Sequence, residues 1–264
     1  MTSNIGEPMK DFKNENLWLM QGDCLERMKE IPDRSVDMVL TDPPYGTTAC
    51  KWDSIIPLEP MWEQLKRVIK PNGAIVMTAS QPFTSVLGAS NLGMLRYSWV
   101  WEKGRPTNFP NAKKMPLKGF EDILVFYTKQ PTYNPQDLVR VDKTVKNTGT
   151  KTRQGSVKEN GDRTSVHNDL TKHSTYKQEY TNYPRGILKH TQDSPSIHPT
   201  QKPLALMEYL IKTYTNEGET VLDFTMGSGT TGVAAKNLNR SFIGIELDEQ
   251  YFKISKDRIL GENL

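Results

Sequence analysis

A glycine-rich turn near the end of the chain narrows the choice of fold. Residues 219–224 predict a strand, Gly227 and Gly229 predict a tight turn, and Thr230 begins a helical pattern. Glycines let a ligand approach the backbone, and a helix N-terminus offers free N–H groups. Glu246 stands at the end of the next predicted strand, where a carboxylate can bind ribose hydroxyls. The pattern predicts a nucleotide-type cofactor site in an α/β fold, with a purely structural turn as the alternative.

The residues around this turn distinguish between two classes of cofactor. Gly227, Gly229 and Gly232 match the pattern G-x-G-x-x-G of dinucleotide-binding proteins, so NAD stays open as an alternative. Asp223 lies just before the turn, where it can hold an ammonium group or fix the loop that does. The chain shows no evident acid–base pair of a dehydrogenase. These two features favour a cofactor that carries a sulfonium group.

A second motif, Asp42-Pro43-Pro44-Tyr45, follows a run of residues with β character. It is therefore predicted at the C-terminal end of a strand, where open α/β sheets place their active sites. The two prolines stiffen the backbone and remove two N–H donors, which leaves carbonyl groups free to accept hydrogen bonds. A carboxylate, a carbonyl and an aromatic ring this close together suit a planar group with an exocyclic NH2. Taken alone, these four residues also fit an ordinary proline-rich turn.

Strand and helix patterns alternate along most of the chain, which predicts a mostly parallel sheet. Asp23 is the predicted N-cap of the first helix, and residues 102–118 are predicted to be a polar loop. The predicted strands are 17–20, 36–40, 74–77, 97–101, 122–127, 219–224 and 241–245, and the predicted helices are 24–31, 58–70, 83–92, 203–214, 230–238 and 249–260.

The composition changes in residues 130–195. This segment carries more Lys and Arg than Asp and Glu, and it lacks a periodic apolar pattern. Tyr133, Tyr176, Tyr180 and Tyr183 lie among its basic residues. Basic residues with interspersed aromatic rings suit contacts to the phosphates and bases of nucleic acid. A solvated insertion or linker is the alternative for this segment taken alone.

The composition excludes several other classes of protein. The chain has 264 residues, a net charge of +3 and two cysteines, Cys24 and Cys50. Two cysteines rule out a disulfide framework and a Cys-x-x-Cys metal site, and they fit a reducing, cytoplasmic setting. No apolar run reaches the length of about 18 residues that a membrane span needs, and neither a membrane nor a metal is expected. Residues 1–16 are polar and mixed in charge, which predicts a flexible tail and no signal peptide.

With both motifs in place, residues 17–260 resemble an S-adenosylmethionine-dependent DNA amino-methyltransferase. That family combines a (D/N/S)-P-P-(Y/F) motif with a glycine-rich cofactor motif, and the order of motifs here is similar to that of its circularly permuted β-group. The resemblance implies an α/β fold with a Rossmann-like class I methyltransferase sheet and an inserted target-recognition region. It divides the chain into a flexible tail (1–16), a catalytic half (17–129), a basic target-recognition insertion (130–195) and a cofactor-binding half (196–264).

The resemblance also implies roles for individual residues, with Asp42, Pro43, Pro44 and Tyr45 catalytic. The residues implied to bind S-adenosylmethionine are Asp23, Cys24, Thr200, Lys202, Asp223, Phe224, Gly227, Gly229, Thr230, Thr231 and Glu246. Among these, Asp23 would contact the adenine of the cofactor, and Thr200 and Lys202 would help hold its methionine end. Phe224 stands one place earlier than the aromatic residue of the family's usual motif. The residues expected to contact DNA are Lys103, Arg105, Asn108, Lys113, Lys114, Arg153 and Arg163.

The resemblance implies methylation of N6 of adenine in double-stranded DNA. Asp42 at the first motif position resembles N6-adenine enzymes, whereas N4-cytosine enzymes more often carry Ser there, so N4-cytosine stays an alternative. The target base would be flipped out of the duplex, with its NH2 held by Asp42 and the Pro43 carbonyl and its ring stacked on Tyr45. Methylation at C5 of cytosine is excluded, because neither Cys24 nor Cys50 follows a proline as that reaction's motif requires.

Other functions stay open at this point. A non-catalytic partner subunit that binds cofactor or DNA is disfavoured because both motifs are intact. Methylation of a protein glutamine or an RNA base uses similar chemistry, although the basic segment and the order of the motifs favour DNA. An NAD oxidoreductase is the remaining alternative. A homodimer is a further expectation from the resembled group.

Overall fold

The computed structural model describes residues 11–46, 54–146, 175–193 and 201–262. These residues belong to two compact units. The smaller unit lies within Pro135–Pro184, and the larger unit is formed by the chain on both sides of it. Both motifs of the predicted active site lie in the larger unit.

The described residues form strands, α-helices and two 3-10 turns. In chain order they are β1 (Phe12–Lys13), β2 (Leu17–Gln21), α1 (Cys24–Arg27), a 3-10 turn (Met28–Glu30), β3 (Val36–Thr41), α2 (Leu58–Val68), β4 (Ile69–Ala79), α3 (Phe83–Ser90), β5 (Leu95–Thr107), a 3-10 turn (Phe109–Asn111), β6 (Lys118–Phe126), β7 (Val139–Lys146), β8 (Thr175–Thr181), β9 (Ile187–His190), α4 (Leu204–Tyr214), β10 (Thr220–Asp223), α5 (Thr230–Asn237), β11 (Ser241–Glu246) and α6 (Glu249–Leu260).

The strands of the larger unit form one sheet with the order β1-β2-β11-β10-β3-β4-β6-β5-β9. From β2 through β4 all neighbours are parallel, which confirms the mostly parallel sheet, whereas β6 is antiparallel to both β4 and β5. Val221 of β10 pairs with Met38 of β3. Because β10 and β3 are parallel neighbours, the glycine-rich turn and the Asp-Pro-Pro-Tyr motif emerge side by side at one edge of the sheet.

Helices cover both faces of this sheet. Leu40 of β3 packs in a buried cluster with residues of α4, α5 and α6, whereas the adjacent Val39 packs with residues of α1, α2 and α3. This division follows from the alternation of side chains along a strand. Helix α2 contributes an apolar stripe that includes Met61, Trp62 and Leu65, at the spacing that a one-sided helix requires. The two layers of helices hold the strand ends in fixed positions.

The first helix is shorter than predicted. The sequence predicts a helix over 24–31, but α1 ends at Arg27 and the chain continues as a 3-10 turn. Asp23 caps the helix as predicted, because its carboxylate accepts the N–H groups of Leu25 at 2.9 Å and Glu26 at 3.2 Å. This cap fixes the direction of the Asp23 side chain.

The polar loop predicted for 102–118 is wrong over much of its length. Strand β5 extends to Thr107 and β6 begins at Lys118, so the two strands form an antiparallel hairpin closed by the 3-10 turn. The polar residues at this end of the hairpin give no apolar periodicity. Backbone pairing with β6 and β9 holds β5 in extended form there. An alternating apolar pattern indicates only strands with a buried face, so the sequence did not indicate the exposed end of β5.

The segment 130–195 contributes to both units. Val100 of β5 pairs in parallel with Ile187 of β9, so the end of this segment extends the main sheet. In the smaller unit, β7 and β8 form a two-stranded antiparallel sheet in which Arg140 pairs with Tyr180. The circular permutation and the target-recognition role of this segment stay predictions.

Candidate active site

A cavity of about 1150 Å³ lies at the C-terminal ends of the parallel strands. The Asp-Pro-Pro-Tyr motif and residues of β4, β5 and β6 line one part, which we call the base half. The start of α1, the glycine-rich turn and the end of β11 line the other part, which we call the cofactor half. The two motifs that the sequence predicted to be functional therefore face a single cavity.

The glycine-rich turn has the backbone conformation that its glycines allow. Gly227 has a φ of 50° and Gly229 a φ of 78°, in the left-handed region that other residues rarely adopt. The Glu246 carboxylate accepts the N–H of Gly227 at 2.8 Å and the N–H of Asp248 at 2.9 Å. Burial raises the pKa of Glu246 above its usual value. Strand β11 thus supplies the carboxylate that holds the turn open beside the cavity.

Asp223 at the end of β10 is fully buried and fixes the same turn. Its carboxylate accepts hydrogen bonds from the Thr41 hydroxyl at 2.7 Å and the Thr225 N–H at 3.1 Å. Burial raises the pKa of Asp223 to about 6. Of the two roles that the sequence allows, this geometry supports the fixing of the loop. Phe224 follows and is buried in the sheet core while lining the cavity.

Asp23 and Cys24 face the cofactor half from the start of α1. The N–H of Gly22 donates to the Glu246 carbonyl at 2.9 Å, which ties this segment to the end of β11. Burial raises the pKa of Cys24 to about 12, so the thiol is neutral near pH 7. Asp23 therefore supplies the carboxylate on this side of the cavity.

Arg258 of α6 supports the first turn of α5, and no sequence motif points to it. Its guanidinium donates to the Ser228 carbonyl and to the Thr230 hydroxyl, each at 3.0 Å. Thr230 and Thr231 are buried and line the cavity beside the turn. The sequence does not single out this arginine, because an arginine on a surface helix is usually solvated. Its contact with the first turn of α5 depends on how α6 packs.

The base half is built around the Asp42 carboxylate. Its Oδ1 accepts the Tyr45 hydroxyl at 2.6 Å and also the hydroxyl of Thr78 on β4. The Tyr45 ring is stacked on Phe83, with 5.4 Å between ring centroids and 23° between planes. Burial, and next the Asp42 carboxylate, raise the pKa of Tyr45 well above its usual value, so the phenol stays neutral. Tyr45 thus presents a fixed ring at the wall of the cavity.

Lys202 contacts the Asp42 carboxylate in the base half, and its role at the methionine end of the cofactor stays a prediction. Its ammonium group is 2.5 Å from Asp42 Oδ2 and 3.3 Å from Glu121 Oε2. Glu121 stands on β6 and carries no motif signal, so the sequence missed it. Thr200, the other residue predicted to hold the methionine end, lies outside the described residues.

The residues predicted to contact DNA occupy different environments. Arg105, Lys113 and Lys114 are exposed on the β5–β6 hairpin, and Asn108 is partly exposed beside them. Lys103, in contrast, points at Glu121 with 2.6 Å between Nζ and Oε1 and is only 12% exposed. Lys103 is thus engaged inside the protein. Arg153 and Arg163 are outside the part of the chain that the structure describes.

Comparison with known proteins decides the family. A family model described as DNA methylase (N6_N4_Mtase) matches residues 36–257. The chain belongs to this DNA methylase family. The DNA methylase is 31% identical to the type II methyltransferase M.BglII of Bacillus subtilis, over 92% of its own chain and 69% of the relative. It is 30% identical to the DNA adenine methyltransferase YhdJ of Escherichia coli (strain K12), over 96% of its chain and 85% of the relative.

Solved structures agree with this assignment. The crystal structure of the M1.HpyAVI–SAM complex is 27% identical to the DNA methylase and superposes with a TM-score of 0.62, covering 92% of this chain and 99% of that one. The PvuII DNA methyltransferase (cytosine-N4-specific) is 16% identical and has a TM-score of 0.66, over 95% of this chain and 88% of that one. At this identity the second likeness establishes the fold alone.

The cofactor half suits S-adenosylmethionine, which the DNA methylase uses as its methyl donor. Apart from Gly227 and its two chain neighbours, no heavy atom of the described residues lies within 4 Å of the position that a Cβ on Gly227 would occupy, so a ligand can approach this backbone closely. The Asp23 and Glu246 residues both line this cavity. The described part of the chain contains no cluster of three or more His, Cys, Asp or Glu side chains suited to a metal ion. None of its helices has the length and apolar character of a membrane span.

Proposed function

We propose that the DNA methylase transfers a methyl group to the exocyclic N6 of adenine at a specific site in double-stranded DNA. The observation that carries this proposal is the position of the Asp42 carboxylate, which lines the same cavity as the glycine-rich cofactor turn. The relative YhdJ is named a DNA adenine methyltransferase, which favours adenine. N4 of cytosine is the second candidate, because cytosine also presents an amino group beside a ring nitrogen.

The residues of the base half orient the amino group of the target base. Asp42 and the Pro43 carbonyl accept its two hydrogens, which draws the nitrogen lone pair out of the ring. The free face of Tyr45 stacks on the base, while Phe83 supports the other face of that ring. When bound, S-adenosylmethionine supplies a methyl group that the amino nitrogen takes in one in-line displacement, and S-adenosylhomocysteine leaves. The extra proton on nitrogen is lost to Asp42 or to water. Fixed positions and electrostatics provide most of the rate enhancement.

The amino group must leave the duplex to reach this site. The cavity lies at the strand ends, and Asp42 is three-quarters buried, with a side-chain exposure of 24%. A base inside the stack cannot approach such a carboxylate, so the target base is flipped into the base half. The exposed basic residues of the β5–β6 hairpin lie next to Thr107 and Lys118, which line the cavity. They are therefore suited to hold the phosphates near the flipped base.

The segment that contains β7 and β8 is suited to target recognition, because it carries basic residues and exposed tyrosines such as Tyr176 and Tyr180. The homodimer and the cytoplasmic location belong to this proposal as well. A homodimer is tested by sedimentation of the protein with and without duplex DNA.

The direct test is product analysis. The protein and S-adenosylmethionine are incubated with unmethylated double-stranded DNA of mixed sequence, and the DNA is digested and analysed as nucleosides by mass spectrometry. We expect N6-methyldeoxyadenosine from the wild type and none from Asp42→Ala. Asp33→Ala is the matched control, because Asp33 is a surface carboxylate with 72% exposure.

Each other outcome has a definite meaning. N4-methyldeoxycytidine would keep the mechanism and refute adenine as the target base. Near-normal activity of Asp42→Ala would refute the mechanism. Cofactor binding without any methylated base would support the partner subunit or a substrate other than DNA, and an RNA competitor would then distinguish the substrates.

A further inference from the structure

We infer that Lys202 and Glu121 position the catalytic carboxylate of Asp42, so that Lys202 acts on the methyl-accepting side of the reaction and not on the methionine end of the cofactor. This inference rests on the proposed function, since it gives a role in the same reaction to residues outside the Asp-Pro-Pro-Tyr motif. It assigns Lys202 as a positioning residue, because Lys202 acts through Asp42.

A row of alternating negative and positive charge is formed by the side chains of Asp42, Lys202, Glu121 and Lys103. Lys202 Nζ lies between Asp42 Oδ2 at 2.5 Å and Glu121 Oε2 at 3.3 Å. The other oxygen of Glu121 lies 2.6 Å from Lys103 Nζ. Lys202 is 7% exposed and Glu121 is 12% exposed, so water cannot screen these contacts effectively. The positive charge of Lys202 is therefore shared by two carboxylates, of which Asp42 is the nearer.

Each member of this row comes from a different structural element. Asp42 follows β3, Lys103 is on β5, Glu121 is on β6, and Lys202 precedes α4. The segment around Lys202 is anchored on both sides. The Gln201 carbonyl accepts the Gln192 side-chain amide at 2.8 Å, and the Leu204 N–H donates to Asp193 at 2.9 Å. The position of the ammonium group is thus set by the fold.

A buried ammonium group is stable only with anionic partners. Burial alone would lower the pKa of Lys202, but the carboxylates of Asp42 and Glu121 outweigh it and raise that pKa above its usual value. Lys202 is therefore a cation at neutral pH. If Lys202 moved away to bind the carboxylate of a cofactor, Asp42 would lose this cation, whereas Glu121 would keep Lys103.

The charge of Lys202 has a consequence for Asp42. A hydrogen bond between an ammonium group and a carboxylate is shorter and stronger than one between neutral groups. With Oδ2 held by Lys202 and Oδ1 held by Tyr45 and Thr78, the carboxylate keeps one orientation. Lys202 therefore fixes the direction of the Asp42 carboxylate in the base half.

The test compares cofactor affinity with turnover in Lys202→Met, which keeps a chain of similar length without the charge. We expect the Kd for S-adenosylmethionine, measured by calorimetry, to stay within about threefold of the wild type. We expect kcat for DNA methylation to fall by about 100-fold, as for a misplaced catalytic group. Lys202→Arg keeps the positive charge and should restore most of the lost kcat.

The same two constants are measured for Glu121→Gln and for a control variant. Glu121→Gln should leave the Kd for S-adenosylmethionine unchanged and lower kcat by about tenfold. It also serves as the test if Lys202→Met fails to fold, which circular dichroism shows. Lys29→Met is the matched control, because Lys29 is 56% exposed and forms a surface ion pair with Glu26 at 2.8 Å. It should leave both constants unchanged.

Two results would refute the roles proposed for Lys202 and Glu121. A loss of cofactor affinity of tenfold or more in Lys202→Met, with a kcat close to that of the wild type, would refute the inference and return Lys202 to the cofactor site. A Glu121→Gln enzyme with wild-type kcat would refute the role of Glu121. A failure of the proposed function is distinguishable, because the wild type itself would then yield no methylated base, whereas the affinity comparison needs no methyl transfer.

Discussion

Thr41 Oγ1 donates a hydrogen bond of 2.7 Å to the carboxylate of Asp223, which joins the last residues of the central strands β3 and β10. Thr225 adds a second connection, because its N–H donates to Asp223 at 3.1 Å and its hydroxyl donates to the Asp42 carbonyl at 3.2 Å. The two motifs of the active site are therefore joined to each other by hydrogen bonds. Their separation is set by the pairing of two buried strands.

The buried carboxylate of Asp223 should make stability depend on pH. Its pKa is about 6 in the folded protein, against an ordinary value of 3.8 for a solvated aspartate, so the folded state binds the proton more tightly. Stability from this group is present below pH 4 and is lost as pH rises through 6, by about 3 kcal/mol in total. We expect Asp223→Asn to be more stable than wild type at pH 8 and to approach it at pH 5, in urea unfolding. A difference that does not vary with pH would contradict this.

Glu246 should be needed in its ionised form for cofactor binding. One carboxylate oxygen accepts the Gly227 N–H and the other accepts the Asp248 N–H. In Glu246→Gln the NH2 group faces one of these donors, so one bond is lost and the turn shifts. We expect the Kd for S-adenosylmethionine to rise about tenfold, equivalent to one charged hydrogen bond. Glu63→Gln, on the exposed side of α2, is the calorimetric control, and equal affinities in the two variants would oppose the prediction.

The salt dependence of DNA binding should separate two kinds of lysine on the β5–β6 hairpin. Lys113 and Lys114 are exposed, whereas Lys103 is paired with Glu121. A lysine that neutralises a phosphate contributes about 0.9 to the slope of log K against log salt concentration. We expect Lys113→Ala and Lys114→Ala each to reduce the slope by about that amount, in fluorescence anisotropy with duplex DNA. Lys103→Ala should leave it unchanged, and a reduced slope there would show that Lys103 reaches the phosphates.

Phe109 should contribute to base flipping. It is 63% exposed and begins the turn between Thr107 and Lys118, which line the cavity. An exposed aromatic ring next to basic residues suits insertion into a base stack, which is how such proteins unstack DNA. We expect Phe109→Ala to lower the fluorescence gain of 2-aminopurine at the target position under saturating protein. Leu92→Ala removes an equally exposed apolar side chain elsewhere, and the same loss in that variant would argue against insertion.

Gly232 should be required for packing and not for ligand binding. A Cβ on this residue would lie 2.7 Å from Phe242 Cε1 and would also overlap Ile259. Crowding of this kind costs about 1–3 kcal/mol, which exceeds the gain of up to about 1 kcal/mol in helix propensity. We expect Gly232→Ala to lower the free energy of unfolding by about 1–2 kcal/mol. Gly93→Ala has open space around its Cβ and should change stability by less than about 0.5 kcal/mol.

The parts of the site that the sequence predicts are those that depend on local patterns. A strand, a Gly227-x-Gly229 turn and a helix follow each other in the chain, and their geometry follows from backbone sterics. The Asp42 motif is recognisable for the same reason. That both motifs share one cavity follows from the rule that parallel strands end at the same edge of a sheet.

The parts that the sequence misses depend on packing between distant elements. Glu121 is one of three charged residues in β6, and its role appears only when β6 is placed beside β4 and α4 covers the sheet. Arg258 is missed for the same reason. Lys202 is recognisable as functional from its motif, but its neighbours are fixed by where the segment before α4 lies.

The buried thiol at the cofactor half bears on how the enzyme withstands oxidants. Only a thiolate reacts rapidly with peroxides and alkylating reagents. With a pKa of about 12, Cys24 is almost entirely protonated under cellular conditions. Its sulfur can line the binding site as a small apolar contact without becoming a target of oxidation. Peroxides and alkylating reagents should therefore modify Cys24 only slowly near pH 7.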